Sequence, residues 1–326
     1  MSRIILGDRT ARVGGALVAL AATLLLASCA SNIELAPHLR PLPRETMMLL
    51  GKKGMDVQGP IFIRIFKEES ELELWKQRDD GRFYHFKTYP ICNWSGDLGP
   101  KTRYGDRQAP EGFYTVSREQ MNPDSKYHLA MNLGYPNAFD RSHRRTGDFL
   151  MIHGKCKSAG CYAMTDDLIE EIYAIARESF IGGHDGFQVH AFPFRMTSEN
   201  MARFSSHEAY PFWQTIKEAY DHFELTRQLP AIGVCDRRYV VNVSPRKGEL
   251  SQLDAERACP QLVKLRPDPF RLRPGEQVAE QRIVVPGQKM RSLASADDGA
   301  EQSGGATSAG TMGLGKPPNM SFAPGR

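Results

Sequence analysis

The apolar positions of this chain fall mostly into short, dense runs separated by turn residues, not into long helical stripes. IFIRIF (61–66), LELW (72–75), RFYHFKTY (82–89), GFYTVS (112–117), YHLAM (127–131), DFLMIH (148–153) and FQVHAF (187–192) concentrate β-branched and aromatic residues. Such runs predict the strands of a compact, mixed-to-antiparallel β domain. Two segments carry a helical period instead. TDDLIEEIYAIARESF (165–180) places Thr165 at the N-cap and Asp166 and Asp167 in the first turn, where the helix dipole favours negative charge. Leu168, Ile172, Ile175 and Ala176 line one face, and Gly182-Gly183 ends it. The second helix, roughly 208–228, sets Phe212, Ile216, Tyr220 and Phe223 along one side, a stripe suited to core packing, and stops before Pro230. The predicted class is α+β: a β-sandwich or barrel-like domain with a few packed helices.

The two ends read differently. Arg3, Arg9 and Arg12 precede an apolar run over 16–27, which closes on Leu26-Ala27-Ser28-Cys29. These are signal-peptide proportions over 1–29. The closing residues resemble the lipobox of bacterial lipoproteins, in which the cysteine, here Cys29, receives lipid. A cleaved signal and a retained anchor are the alternatives, and on each the bulk of the protein works outside the cytoplasmic membrane. Ala30, not aspartate, follows Cys29, which favours an outer-membrane anchor facing the periplasm. Residues 30–57, with the polar connector APHLRPLPRE, read as a linker, 58–196 as the β domain, and 197–245 as a helical extension packed on it. The segment 246–326 ends in a Gly-, Ser-, Ala- and Pro-rich stretch too poor in large apolar residues to offset chain entropy, and reads as a mostly disordered tail.

Composition narrows the partners only a little. A hydrophobic content of 41% and a charged content of 25% are ordinary for a globular protein. A net charge of +4, with no Gly-rich phosphate loop and no basic-aromatic array, gives no support for a nucleic-acid partner. Of the six cysteines, five remain if Cys29 is lipidated. Five is odd, so one thiol is expected to stay unpaired in an oxidising compartment. Cys235 with Cys259 is one open pairing, and Cys92 with Cys156 another that the fold would have to bring together.

Candidate chemistry gathers in MIHGKCKSAGCYAM (151–164). His153, Cys156 and Cys161 would give zinc three ligands, but no fourth lies nearby and the spacing matches no common knuckle. No metal or cofactor is therefore expected. A catalytic thiol needs a lowered pKa, a base and oxyanion donors. Cys161 follows Gly160 and precedes the helix starting near Thr165, whose N-terminus would favour a thiolate. The N–H groups around Gly160 to Tyr162 are candidate oxyanion donors, and His153, at the end of an apolar run, is the candidate base. Cys156, between Lys155 and Lys157, is a second candidate nucleophile. His190 reads as a packed strand residue. Arg141, Arg144 and Arg145 read as a solvated basic loop, with attraction of carboxylates the alternative. Tyr104, Tyr114 and Tyr162 suit either a groove or the core, and Asp106 and Glu111 form no recognisable carboxylate pair.

The combination IHG … SAGCYAM is similar to the His-Gly … Ser-x-Gly-Cys signature of the L,D-transpeptidase catalytic domain, the YkuD fold, and most nearly to its YafK-like branch. YGDRQAPEGFYTV (104–116) resembles the family's Gly-Asp-x-x-Thr-Pro-x-Gly-x-Tyr segment, with Ala109 where threonine is usual. FQVHAFPFRMT (187–197) resembles the strand after the helix, and the likeness covers roughly 58–241. It implies an enzyme that acylates a cysteine with a peptidoglycan stem peptide, cutting after the L-centre of its diaminopimelate residue. Cys161 is then the nucleophile and His153 the general base, with Ser158, Gly154, Gly160 and Tyr162 shaping the loop and oxyanion site. The acceptor amine would belong to another stem peptide or to a wall-linked lipoprotein. Many members read Ser-His-Gly-Cys-x-Arg; Ala159 and Ala163 stand here in place of that histidine and arginine. Two alternatives stay open: a hydrolase of the same bond, with water as acceptor, and a non-catalytic, lipid-anchored wall-binding protein in which Cys156 and Cys161 are structural.

Overall fold

In the computed structural model, which describes residues 34–271, the chain forms α1 (Arg44–Lys52), β1 (Ile61–Phe66), β2 (Glu71–Gln77), β3 (Phe83–Pro90), β4 (Asn93–Trp94), β5 (Gly112–Ser117), β6 (Met121–Asn122) and β7 (Ala130–Asn132). Then follow α2 (Ala138–Ser142), β8 (Met151–His153), β9 (Tyr162–Ala163), α3 (Asp166–Ile181), β10 (Gly186–Phe192), α4 (Ser198–Arg203) and α5 (Tyr210–Thr226). Two hairpin-like pairs complete it: β11 (Ile232–Cys235) with β12 (Arg238–Val241), and β13 (Val243–Pro245) with β14 (Leu262–Lys264). The expected signal peptide with Cys29, and the tail beyond 271, lie outside the described residues. Among the described residues no helix is long and apolar enough to cross a membrane.

The longer strands form a five-stranded sheet in the order β3-β2-β1-β10-β5, with β1 parallel to β10 and the other neighbours antiparallel. β1 is buried along its whole length, and its unbroken apolar pattern follows from cover on both faces. Ile63 and Ile65 enter the main core, while Phe62 packs with Trp75, Phe83 and, from α5, Phe223. Arg64 in the same strand is buried as well. Its guanidinium donates to Glu73 at 2.7 and 2.9 Å and to Glu224 at 2.5 Å, so its charge is matched inside the protein.

The second sheet, β4-β9-β8-β7-β6, is built from strands only two or three residues long. Its centre is a parallel pair, β8 and β9, in which Ile152 lies opposite Tyr162 and His153 opposite Ala163. Parallel neighbours ordinarily need a crossover of about a dozen residues or more. Here residues 154–161 suffice. The strands are short, and Lys155, Cys156 and Gly160 take φ values of 63°, 49° and 126° that fold the chain back in little space. α3 closes over the core with Ile169, Ile172, Ile175, Ala176 and Phe180 buried. Thr165 occupies its N-cap position, although the side chain makes no capping bond.

Two segments are more ordered than their composition implies. The connector expected over 30–57 contains α1, whose buried residues are Thr46 and Leu50. A stripe of one residue per turn is too narrow to show as a hydrophobic period. The hydroxyl of Thr46 donates to Glu171 on α3 at 2.7 Å. Within the expected tail, β14 pairs with β13, Cys259 is bonded to Cys235, and Phe270 meets the Tyr84 ring edge-on at 5.7 Å. A disulfide and a short ladder hold this stretch, and neither leaves a mark in hydrophobic content.

Candidate active site

His153 ends β8, and Cys161 immediately precedes β9. Extending the β8–β9 register by one residue sets Cys161 opposite Met151, and so on the same face as His153, two residues along. Strand spacing and rise place their Cα atoms roughly 8 Å apart on that diagonal. The His153 ring is buried, lies 4.7 Å from the Tyr127 ring, and has Nδ1 2.7 Å from Gly154 O. A carbonyl can only accept, so Nδ1 carries the proton and Nε2 keeps its lone pair. Burial holds the imidazole pKa below its ordinary value, against the Gly154 hydrogen bond. The ring is therefore a neutral base at neutral pH.

Cys161 is the free cysteine among the described residues, and its Sγ donates to Phe149 O at 3.6 Å. Burial pushes its thiol pKa up, while a backbone hydrogen bond from Met151 and the charge of Lys101 pull it down. Burial outweighs what was expected of the following helix: α3 starts at Asp166, as expected, and Asp166 accepts the Lys155 N–H at 2.7 Å. At neutral pH both groups are uncharged, a thiol and an imidazole.

The loop between them is tightly specified. At Gly154 an added Cβ would lie 2.6 Å from Asp166 Oδ1 and 3.0 Å from Tyr127 O, so a larger residue would displace the carboxylate that accepts the Lys155 N–H. The Gly154 N–H is spent on Tyr127 O and Leu129 O, at 3.0 and 3.2 Å, and belongs to the framework of the loop. The N–H groups of Gly160 and Cys161 instead converge on one oxygen, Ser158 Oγ, at 3.2 and 3.1 Å. Ser158 donates in turn to Cys161 O at 2.7 Å. Cys156 is joined to Cys92, with Cα atoms 5.3 Å apart, which removes it both as a nucleophile and as a metal ligand. No cluster of three metal-ligating side chains occurs among the described residues.

That disulfide clasps the loop to the segment leading into β4. Replacing Cys92 and Cys156 together by serine is expected to lower the unfolding free energy by about 2–4 kcal/mol, chiefly by freeing the unfolded chain. Turnover should fall as well, because the loop between His153 and Cys161 loses its tether. Urea unfolding checks the first effect; an unchanged midpoint would remove the clasp from the account of the site.

A polar frame that the spacing of residues did not reveal lies beside and beneath the thiol. Asp106 accepts from Lys101 Nζ and from the N–H groups of Thr102, Arg103 and Gln108, the last three at 2.9 to 3.0 Å, and so organises residues 101–108. Lys101 is buried, and its charge is the one that acts on Cys161. Deeper, Lys67 and Glu111 form a fully buried ion pair at 2.9 Å. Lys67 also donates to Gly99 O and Ala109 O, while Glu111 accepts from Gly99 N and from Trp213 Nε1 on α5. Tyr162, fully buried, donates to Pro110 O at 2.5 Å, and this fastens the residue after Cys161 to the same frame. The signal for these residues was the resemblance of YGDRQAPEG to a family segment; their partners are too distant in sequence to be paired by spacing.

The remaining candidates separate cleanly. His190 is packed between the Phe62 and Phe113 rings, its pKa pushed down by burial to about 3. Arg145 is tied to Asp140 at 2.8 Å, whereas Arg141 and Arg144 are exposed. Tyr114 is core, and Tyr104 is 76% exposed.

Residues 61–188 match the YkuD family, described as the L,D-transpeptidase catalytic domain. The chain is 42% identical over 229 residues to the "Putative L,D-transpeptidase YafK" of Escherichia coli K12, across 69% of this chain and 90% of that one. Among solved structures, the helical cell shape determining protein Pgp2 from Campylobacter jejuni is similar at a TM-score of 0.35 and 18% identity, over 58% of this chain and 69% of that one. Bd1075 of Bdellovibrio bacteriovorus follows at 0.28 and 20%, over 51% and 60%. A catalytic-domain match over the segment that holds His153 and Cys161, with extended identity to a relative matched along nine-tenths of its length, leads to one conclusion: this chain belongs to the L,D-transpeptidase family.

Proposed function

We propose that the protein is a peptidoglycan L,D-transpeptidase that works through a thioester on Cys161. The observation that carries this reading is the β8–β9 register, which, extended one residue to Cys161, sets it on the face of His153, with His153 Nδ1 held by Gly154 O. His153 Nε2 takes the thiol proton as sulfur attacks the carbonyl carbon of the diaminopimelate L-centre. The Gly160 and Cys161 N–H groups, bonded at rest to Ser158 Oγ, hold the oxyanion once it displaces that hydroxyl. The leaving amine departs with the proton from His153, and the acyl group remains on sulfur. An acceptor amine then gives its proton to His153, attacks the thioester, and the thiol is restored as the proton returns. Deprotonation in step with attack suits a site whose thiol pKa is raised and whose imidazole pKa is lowered.

We place this chemistry on the periplasmic side of the envelope, with a lipid on Cys29 as anchor. Support comes from the Leu26-Ala27-Ser28-Cys29 sequence and from the disulfides Cys92–Cys156 and Cys235–Cys259, which persist in oxidising compartments. Incubating the purified protein with a defined stem peptide, with and without an amine acceptor, tests the activity. Mass spectrometry should find the acyl adduct on Cys161 and, with acceptor present, a new amide. Release of the free acid alone, even with excess amine, would make the enzyme a hydrolase that trims stems or frees a wall-linked lipoprotein. No adduct and no product would leave a non-catalytic wall-binding protein.

A further inference from the structure

Phe149 combines two features that packing does not account for. Its φ of 53° lies in the left-handed region, where a bulky side chain is strained, and its ring is 66% exposed. Two residues earlier Gly147 has φ 122°, and the following residue, Leu150, is buried, with the Phe149 carbonyl turned to the thiol. Leu150 O accepts the Leu133 N–H at 2.9 Å, and Leu150 Cδ1 lies 3.3 Å from where a Cβ on Gly160 would sit. The twisted backbone has an evident use, since it aims Phe149 O at Cys161 Sγ. Glycine or asparagine would serve that purpose with less strain, and a polar side chain would suit the exposure better. The phenyl ring needs a separate reason.

The same loop is joined to the 101–108 segment: Thr146 N donates to Thr102 O at 3.1 Å, and Tyr104 N to Thr146 Oγ1 at 3.0 Å. Exposed aromatic rings of Phe149 and Tyr104 thus stand on two tied loops, one of which touches the thiol. We propose that the Phe149 ring is a positioning and specificity-determining platform for the acyl donor, lying against the aliphatic side chain of the residue whose carbonyl Cys161 attacks. This assignment rests on the proposed transpeptidase function. An apolar chain carried on a peptide is the kind of ligand that covers an exposed ring while presenting an amide to a nearby sulfur.

Phe149→Gly and Phe149→Tyr test it, measured beside the wild type with a stem-peptide donor and with iodoacetamide as a small probe of the thiol. Phe149→Gly should raise KM by about threefold to tenfold. Its kcat and its rate of alkylation should stay near wild type, with thermal stability no lower, because glycine accepts the backbone angle. Phe149→Tyr should restore KM. An unchanged KM in Phe149→Gly, or alkylation falling in parallel with turnover, overturns the assignment. Absence of Cys161-dependent turnover in the wild type overturns the function itself, and the platform with it.

Discussion

Cys161→Ala should lose the acyl adduct completely and lower turnover by more than about four orders of magnitude. The fold should be unaffected, because the sulfur sits at the edge of the core and its contacts are weak bonds to Phe149 O and Met151 N–H. Intact-protein mass spectrometry and circular dichroism on one sample separate the two effects. His153→Ala should cost roughly 10²- to 10⁴-fold in rate. The pH dependence has a definite sign. Burial holds the His153 pKa below 6.5, so the neutral base persists as pH falls through 6.5, and the acid limb of activity lies below that point. Burial raises the Cys161 pKa above 9.0, so alkylation of the resting thiol should still be climbing at pH 9. A wild-type alkylation profile that levels off near neutrality would contradict the general-base scheme and indicate a preformed thiolate.

The second large effect is structural. Glu111→Ala is expected to destabilise the protein by about 3–5 kcal/mol, because it leaves the Lys67 ammonium buried without its counter-ion. Gly99 N and Trp213 Nε1 also lose their acceptor. At roughly 2–4 °C per kcal/mol for a domain of this size, the melting temperature should drop by about 10 °C. Lys67→Met combined with Glu111→Leu should recover much of that loss, since a buried pair offsets little beyond its own desolvation. Activity should fall in Glu111→Ala even below its transition, because the pair also anchors the carbonyls of Gly99 and Ala109 that flank the loop carrying Asp106. Thermal unfolding of the single and double variants decides it; a Glu111→Ala protein as stable as wild type would show that the pair supports nothing.

How far the sequence alone reached depended on whether the relevant interactions were local. β1 and β5 match their apolar runs residue for residue, because a contiguous β-branched and aromatic stretch leaves few other ways to be buried. DFLMIH promised a longer strand than β8 delivers, and the reason is Phe149, whose left-handed backbone cannot continue a ladder. Gly160, His153 and Cys161 could be named as candidates because their spacing and a family signature lie within one short stretch. The frame could not be. Arg64 meets a partner 160 residues away, and Lys67 meets one 44 away, so these buried pairs form only when distant segments return to neutralise them. The raised thiol pKa was hidden because burial, its main cause, is a property of the fold.

Side chains alternate faces along β8 and β9, so the register that sets Ile152 against Tyr162 puts sulfur and imidazole on one side. Sliding β9 by one residue would swing Cys161 to the far face while leaving every backbone hydrogen bond replaceable. The connecting loop is in effect a parity device. Its anchors at Gly154 and Gly160 hold the count. Length variants of this loop would preserve the reactive pair when the added residues bulge outward between those anchors, and lose it when they shift the phase of the strand that follows.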